Sequence, residues 1–313
     1  MGHDHHGHDH HHDHGHGGHH HPVPTSMNKA FFLAIVLTLS YTIAEAAYGI
    51  AAHAMSLLAD AAHNLGDSLG LVLAWLANWL LSFPARERYS YGFKRTTIIA
   101  ALANAFILVA SSALIAYESI YKLLHLMTVD EKVVIVVGLI GIAVNAGSSF
   151  LFMAGAKHDL NIRGAFYHLM YDAVILVGVV VSAIIINYTG YVWIDPVVGL
   201  IIVGIVLYGT LGLLQDSLHL MLDAVPRHIN QAGIKTYLAG IDGVTAVHDL
   251  HIWGLSTREI ALTAHLVMPD KKLKDEDYKR INEALLHDFK INHVTLQVEG
   301  GHVDHPCQQS EQC

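Results

Sequence analysis

Three stretches of this chain fix the solvent in which it can fold. Thr96–Tyr117, Val133–Ala156 and Pro196–Leu214 run for 22, 24 and 19 residues without a charged side chain. About 20 mainly apolar residues is the length that crosses hydrocarbon, and such a segment must be helical because its backbone polar groups find no water there. Three further stretches carry only isolated ionisable groups: Ala30–Ala52 with Glu45, Leu57–Leu81 with Asp60, His63 and Asp67, and Gly164–Asn187 with His168 and Asp172. Six spans are therefore expected. The composition agrees, with 14% charged residues against about 25% in soluble domains.

Lys and Arg near the span ends set the orientation. Arg86, Arg88, Lys94 and Arg95 follow span 2, Lys157 and Arg163 follow span 4, and Lys29 precedes span 1. The 1–2 and 5–6 loops hold none, and the 3–4 loop holds only Lys122 and Lys132. Both termini are expected in the cytoplasm, with the chain multi-pass in the cytoplasmic (inner) membrane and in contact with its lipid. No basic start followed by an apolar core opens the chain, so a cleaved secretory signal is not expected.

The remainder is polar. His228–Leu238 is amphipathic, Val244–Trp253 and Glu259–Met268 are β-rich around a Gly254–Arg258 turn, Asp275–Phe289 reads as a helix and His293–Glu299 as a strand. The order α-β-β-α-β suggests a split βαβ unit. The expected fold is thus an all-α, six-helix transmembrane domain (28–214) plus a small α/β ferredoxin-like cytoplasmic domain (215–300). A disordered His-rich tail (1–27) precedes them and a His/Cys-containing tail (301–313) follows. A net charge of -9 without a basic stripe excludes nucleic acid as a partner. Two cysteines, Cys307 and Cys313, cannot staple a fold.

Ionisable groups in hydrocarbon cost several kcal/mol each and are functional candidates. Here they recur in one form: His63 and Asp67 on span 2, and His168 and Asp172 on span 5, each an i, i+4 pair on one helix face. Two His and two Asp suit Zn²⁺, which takes four N, O or S ligands, and the two carboxylates cancel its charge. Without sulfur the set favours zinc, with Cd²⁺ and Co²⁺ as further substrates. The other reading of each pair is a helix-packing salt bridge or a water-lined polar patch. Metal binding needs neutral His, so protons compete for the same groups and metal/proton antiport is expected. A four-ligand cage differs from a hydrolytic zinc site, which keeps an open position. Neither enzymatic activity nor an organic cofactor is expected. An intramembrane zinc hydrolase is the alternative, but it needs a general base, usually in HExxH, and no such string occurs. A non-transporting zinc sensor is a third reading.

The run SLLADAAHNLGDSLGLVLAW (56–75), YSYGFKR (89–95), the pair at 168 and 172, VHDLHIW (247–253), AHLVM (264–268) and VTLQVE (294–299) resemble the cation diffusion facilitator family in its zinc-transporting branch. The resemblance covers nearly everything from Asn28 to Glu299. It implies a homodimeric exporter with six transmembrane helices and a ferredoxin-like cytoplasmic domain, and maps the family's metal site onto His63, Asp67, His168 and Asp172. It also implies a regulatory zinc site of His248, His265 and Glu299, with His302, His305, Cys307 and Cys313 as tail candidates; the alternative is exposed strand histidines. His251 reads as a surface or core-edge residue. The family's charge interlock would here join Arg95 or Lys94 to Asp216. Thr96 and Thr97 stand where relatives often carry an acid.

Asp60 is a candidate for an entry path or proton relay, against a helix cap or interhelical hydrogen bond. Glu45 and Asn145 face the same choice against packing. Twelve of the 26 histidines lie between His3 and His21. That tract has too little apolar surface to fold and is read as a cytosolic metal collector rather than a tag.

Overall fold

A computed structural model of the chain describes residues 29–153, 160–270 and 272–301. The His-rich tract and His302, His305, Cys307 and Cys313 lie outside the described residues. Six long helices come first: α1 (Lys29–Ala51), α2 (Met55–Leu81), α3 (Thr96–Leu124), α4 (Glu131–Met153), α5 (Leu160–Thr189) and α6 (Ile194–Met221). By length and composition α3, α4, α5 and α6 are able to cross a membrane, while the described apolar part of α1 is Val36–Ala51. Leu57, Val134, Leu176, Val179 and Ile202 build their shared core. Phe106, Leu114, Ile140 and Tyr208 face outward, the reverse of a water-soluble bundle and suited to lipid.

Helix α6 runs seven residues past Leu214, the expected span end. Gln215, Asp216 and Ser217 are polar without being helix breakers, and the next proline is Pro226. The α1–α2 turn is held from outside. Its N-cap residue, Ala54, has no side chain to offer, and Asp195 of α6 does the work, accepting from Met55 N at 2.6 Å, Ser56 N at 3.2 Å and Ser56 Oγ. A carboxylate on the orphan amides of a helix start is favoured by both hydrogen bonding and dipole. Lys122 of α3 donates to the His53 carbonyl at 3.0 Å.

The polar part contains α7 (Gln231–Ala239), β1 (Ala246–Gly254), β2 (Ile260–Val267), α8 (Asp275–Phe289) and β3 (His293–Glu299). Strand β2 is central, antiparallel to β1 and parallel to β3, with α8 as the crossover. Helix α7 starts three residues later than expected because Asn230 caps it, accepting from Gly233 N at 2.9 Å. Helix α8 opens on Asp275, Glu276 and Asp277 and closes on Lys290 in the left-handed region. Glu259, expected in β2, belongs to the turn, where its N–H donates to Ser256 Oγ. Ile234 and Leu238 of α7, Ile281 and Leu285 of α8, and Leu262, Ala264 and Leu266 of β2 form a second core.

Candidate metal centre

The i, i+4 pairs of α2 and α5 meet. His63 Nε2 lies 3.8 Å from Asp67 Oδ2 and 4.0 Å from Asp172 Oδ1. His168 Nε2 lies 3.1 Å from Asp67 Oδ2 and 3.6 Å from Asp172 Oδ2. The two imidazoles stand edge to face, 6.1 Å between centroids. Each histidine thus faces the carboxylate of its own helix and that of the other. Ligands on a tetrahedron with bonds of ~2.0–2.1 Å are about 3.3–3.4 Å apart; the His168 separations lie near that spacing and the His63 separations are longer. Asp172 is 1% exposed, whereas His168 is 28% exposed: one side of the group is sealed and the other open.

Glu45 and Asp60 are also buried. Tyr41 donates to Glu45 Oε1 at 2.9 Å, Asn64 donates to Asp60 Oδ2 at 3.1 Å, and the two carboxyls are within hydrogen-bonding reach of each other. They form a polar contact between α1 and α2 adjoining the four-residue group. Asn145 is wholly buried on α4.

A second cluster lies on the sheet. The register sets His248 opposite His265 and Val267 opposite Glu299. His248 Nε2 is 3.0 Å from Glu299 Oε2, and His265 Nδ1 is 2.8 Å from Glu299 Oε1. The ligand atoms of these three residues lie within 4.8 Å of one another, a donor set that fits a divalent metal. Asp249, which sequence reasoning passed over, joins them: its carboxylate is 3.4 Å from His265 Nε2 and 3.0 Å from His251 Nε2. It is aimed there by an irregularity in the β1–β2 ladder and a φ of +51°. The string HDLH held the residue but not the bulge.

The expected ion pair to Asp216 does not form. Arg95 pairs with Asp223 and Lys94 with Glu259, while Asp216 takes Arg227 at 3.0 Å. The continuation of α6 keeps Asp216 on the helix, and Asp223, just past its end with a φ of +58°, turns toward Arg95. Thr97 accepts from Thr257 N at 3.1 Å, so the β1–β2 turn stands on the first turn of α3.

The family model for the cation efflux transmembrane domain matches residues 31–222, and the one for the cation efflux protein's cytoplasmic domain matches residues 226–300. The chain belongs to the cation efflux family. It is 32% identical over 277 residues to the cadmium, cobalt and zinc/H(+)-K(+) antiporter of Bacillus subtilis (strain 168), covering 87% of this chain and 89% of that protein. It is 32% identical to the metal cation efflux system protein CzcD of Cupriavidus metallidurans (93% and 91% covered) and 29% identical to the zinc transporter ZitB of Pectobacterium atrosepticum (87% and 85%). The family resemblance read from the motifs is therefore correct.

Proposed function

We propose that the chain is a zinc efflux antiporter, moving Zn²⁺, with Cd²⁺ and Co²⁺ as further substrates, out of the cytoplasm in exchange for protons. The observation that carries this reading is the convergence of His63, Asp67, His168 and Asp172 from two helices of an apolar bundle. A dication there is neutralised by two carboxylates, and the histidines release protons on binding it and regain them on the far side. The names of the relatives, a cadmium, cobalt and zinc antiporter and a zinc transporter, support the same substrates.

Within this reading α1 to α6 are six spans, both termini are cytoplasmic, and the sheet with α7 and α8 is a ferredoxin-like domain lacking a first strand. His248, His265 and Glu299 hold a regulatory zinc, with Asp249 beside them. The protein works as a homodimer in the inner membrane, supported by a cytoplasmic domain too small to be more than marginally stable alone. The test is zinc uptake into everted vesicles. Wild type accumulates zinc and Asp172→Ala does not. Proteoliposomes whose zinc flux neither responds to nor generates a pH gradient would overturn the exchange.

A further inference from the structure

Helix α4 supplies no ligand, yet it places two buried polar side chains beside those of α5. The contact between these helices is set by two glycines. A Cβ at Gly138 would lie 2.5 Å from Val180 Cγ2, and one at Gly141 would lie 2.1 Å from the Tyr41 hydroxyl of α1 and 2.7 Å from Leu176 Cδ1 of α5, so only hydrogen fits where α4 packs against these side chains. Position 138 faces 180 and 141 faces 176, so the helices run antiparallel. One turn forward in α4 and one turn back in α5 brings Asn145 level with Asp172. Ser148, three residues on, shares that face.

Asn145 is 0% exposed, and neither its Nδ2 nor its Oδ1 has a hydrogen-bond partner among the described residues; Ser148 Oγ is in the same condition. Asp172 has its histidine neighbours at 3.6 and 4.0 Å but accepts no hydrogen bond. A buried carboxamide with no bond contributes nothing to a helix interface that leucine would not contribute better. Its amide is a donor at the height of a carboxylate in need of one.

We propose that Asn145 is a positioning residue for the metal site: its Nδ2–H donates to the Asp172 carboxylate, directly or through one water, when that carboxylate turns to its ion. This rests on the reading of His63, Asp67, His168 and Asp172 as the transport site. The bond occupies one carboxylate oxygen and leaves the other for the metal. That keeps Asp172 monodentate, as a four-coordinate zinc needs. Released, the carboxylate is free to bind through both oxygens, which suits a larger ion such as Cd²⁺.

The test is metal uptake by the full chain in proteoliposomes, with zinc and cadmium as separate substrates. Asn145→Leu raises the KM for zinc about tenfold or more, the scale for removing a group that orients a metal ligand. It narrows the preference for zinc over cadmium and leaves the maximal rate and the melting temperature in detergent near wild type. Asn145→Ser, shorter but still a donor, recovers part of the KM; should the leucine variant not fold, a raised zinc KM in the serine variant carries the same conclusion. A wild-type KM and a wild-type zinc-to-cadmium ratio in whichever variant folds overturn the proposal. Asp172→Ala is measured alongside. Retained transport there overturns the parent reading, whereas lost transport there with an unaltered Asn145→Leu overturns only the role of Asn145.

Discussion

The molecule builds nearly the same donor set twice, two imidazoles and carboxylates, on different secondary structure. In the helical part the four side chains sit on two separate helices, with separations of 3.1 to 4.0 Å. In the sheet the side chains sit on three strands whose ladders fix their spacing, with His–Glu299 separations of 2.8 and 3.0 Å. A relative shift of two helices changes every cross-distance of the first group, whereas the second changes only if backbone hydrogen bonds break. The spacing of the helix-borne cluster follows the relative position of two helices, which suits the transit site proposed for it, and that of the strand-borne cluster is fixed by the ladder. Their carboxylates differ accordingly. Asp67 is shared between histidines of two helices, whereas Glu299 bridges two histidines with one oxygen each.

The largest expected effect separates the two clusters directly. Asp67→Ala lowers zinc transport by about 100-fold or more, beyond the 10–100-fold scale of losing a group behind a ligand, while His265→Ala retains most of its transport. Vesicle uptake of radioactive zinc measures both, and the opposite ranking would break the contrast. The next effect concerns protons. Metal binding displaces protons from its ligands, so zinc affinity at the four-residue cluster falls as pH falls. Acidifying the receiving compartment therefore speeds zinc transport, and the acceleration persists in His265→Ala. A pH effect that disappears in that variant would assign it to the sheet instead. The smallest effect lies where the two parts meet. Arg95 and Asp223 are about half exposed, and such a pair contributes about 0.2–1 kcal/mol. Reversing either charge lowers the unfolding free energy by that order, and the double reversal recovers it.

What the sequence made legible follows the physics of each element. The meeting of the two His–Asp pairs was readable because charge is rare in apolar spans, and because i, i+4 spacing fixes a face without any knowledge of tertiary contacts. Helix α8 and strand β3 fall where their patterns put them. Asp195 was not readable as the cap of α2: it lies 140 residues from the amide it binds, and nothing local shows which helix start lacks a cap. Asp249 depended on a register irregularity that alternation cannot reveal. The Asp216 pairing failed because the polar residues after Leu214 do not end the helix, which runs on to Met221.

The footing of the β1–β2 turn on α3 has a mechanical consequence. His248 and Gly254 are the two ends of one strand segment about 20 Å long, and a Cβ at Gly254 would lie 2.8 Å from Leu220 of α6. The strand paired to it carries His265 at one end and, one residue before its other end, Glu259, the partner of Lys94. Ladder bonds resist sliding, so this hairpin holds a His/Glu cluster at one end and stands over the entry of α3 and the exit of α6 at the other. The hairpin thus ties the His248, His265 and Glu299 cluster to both helix ends.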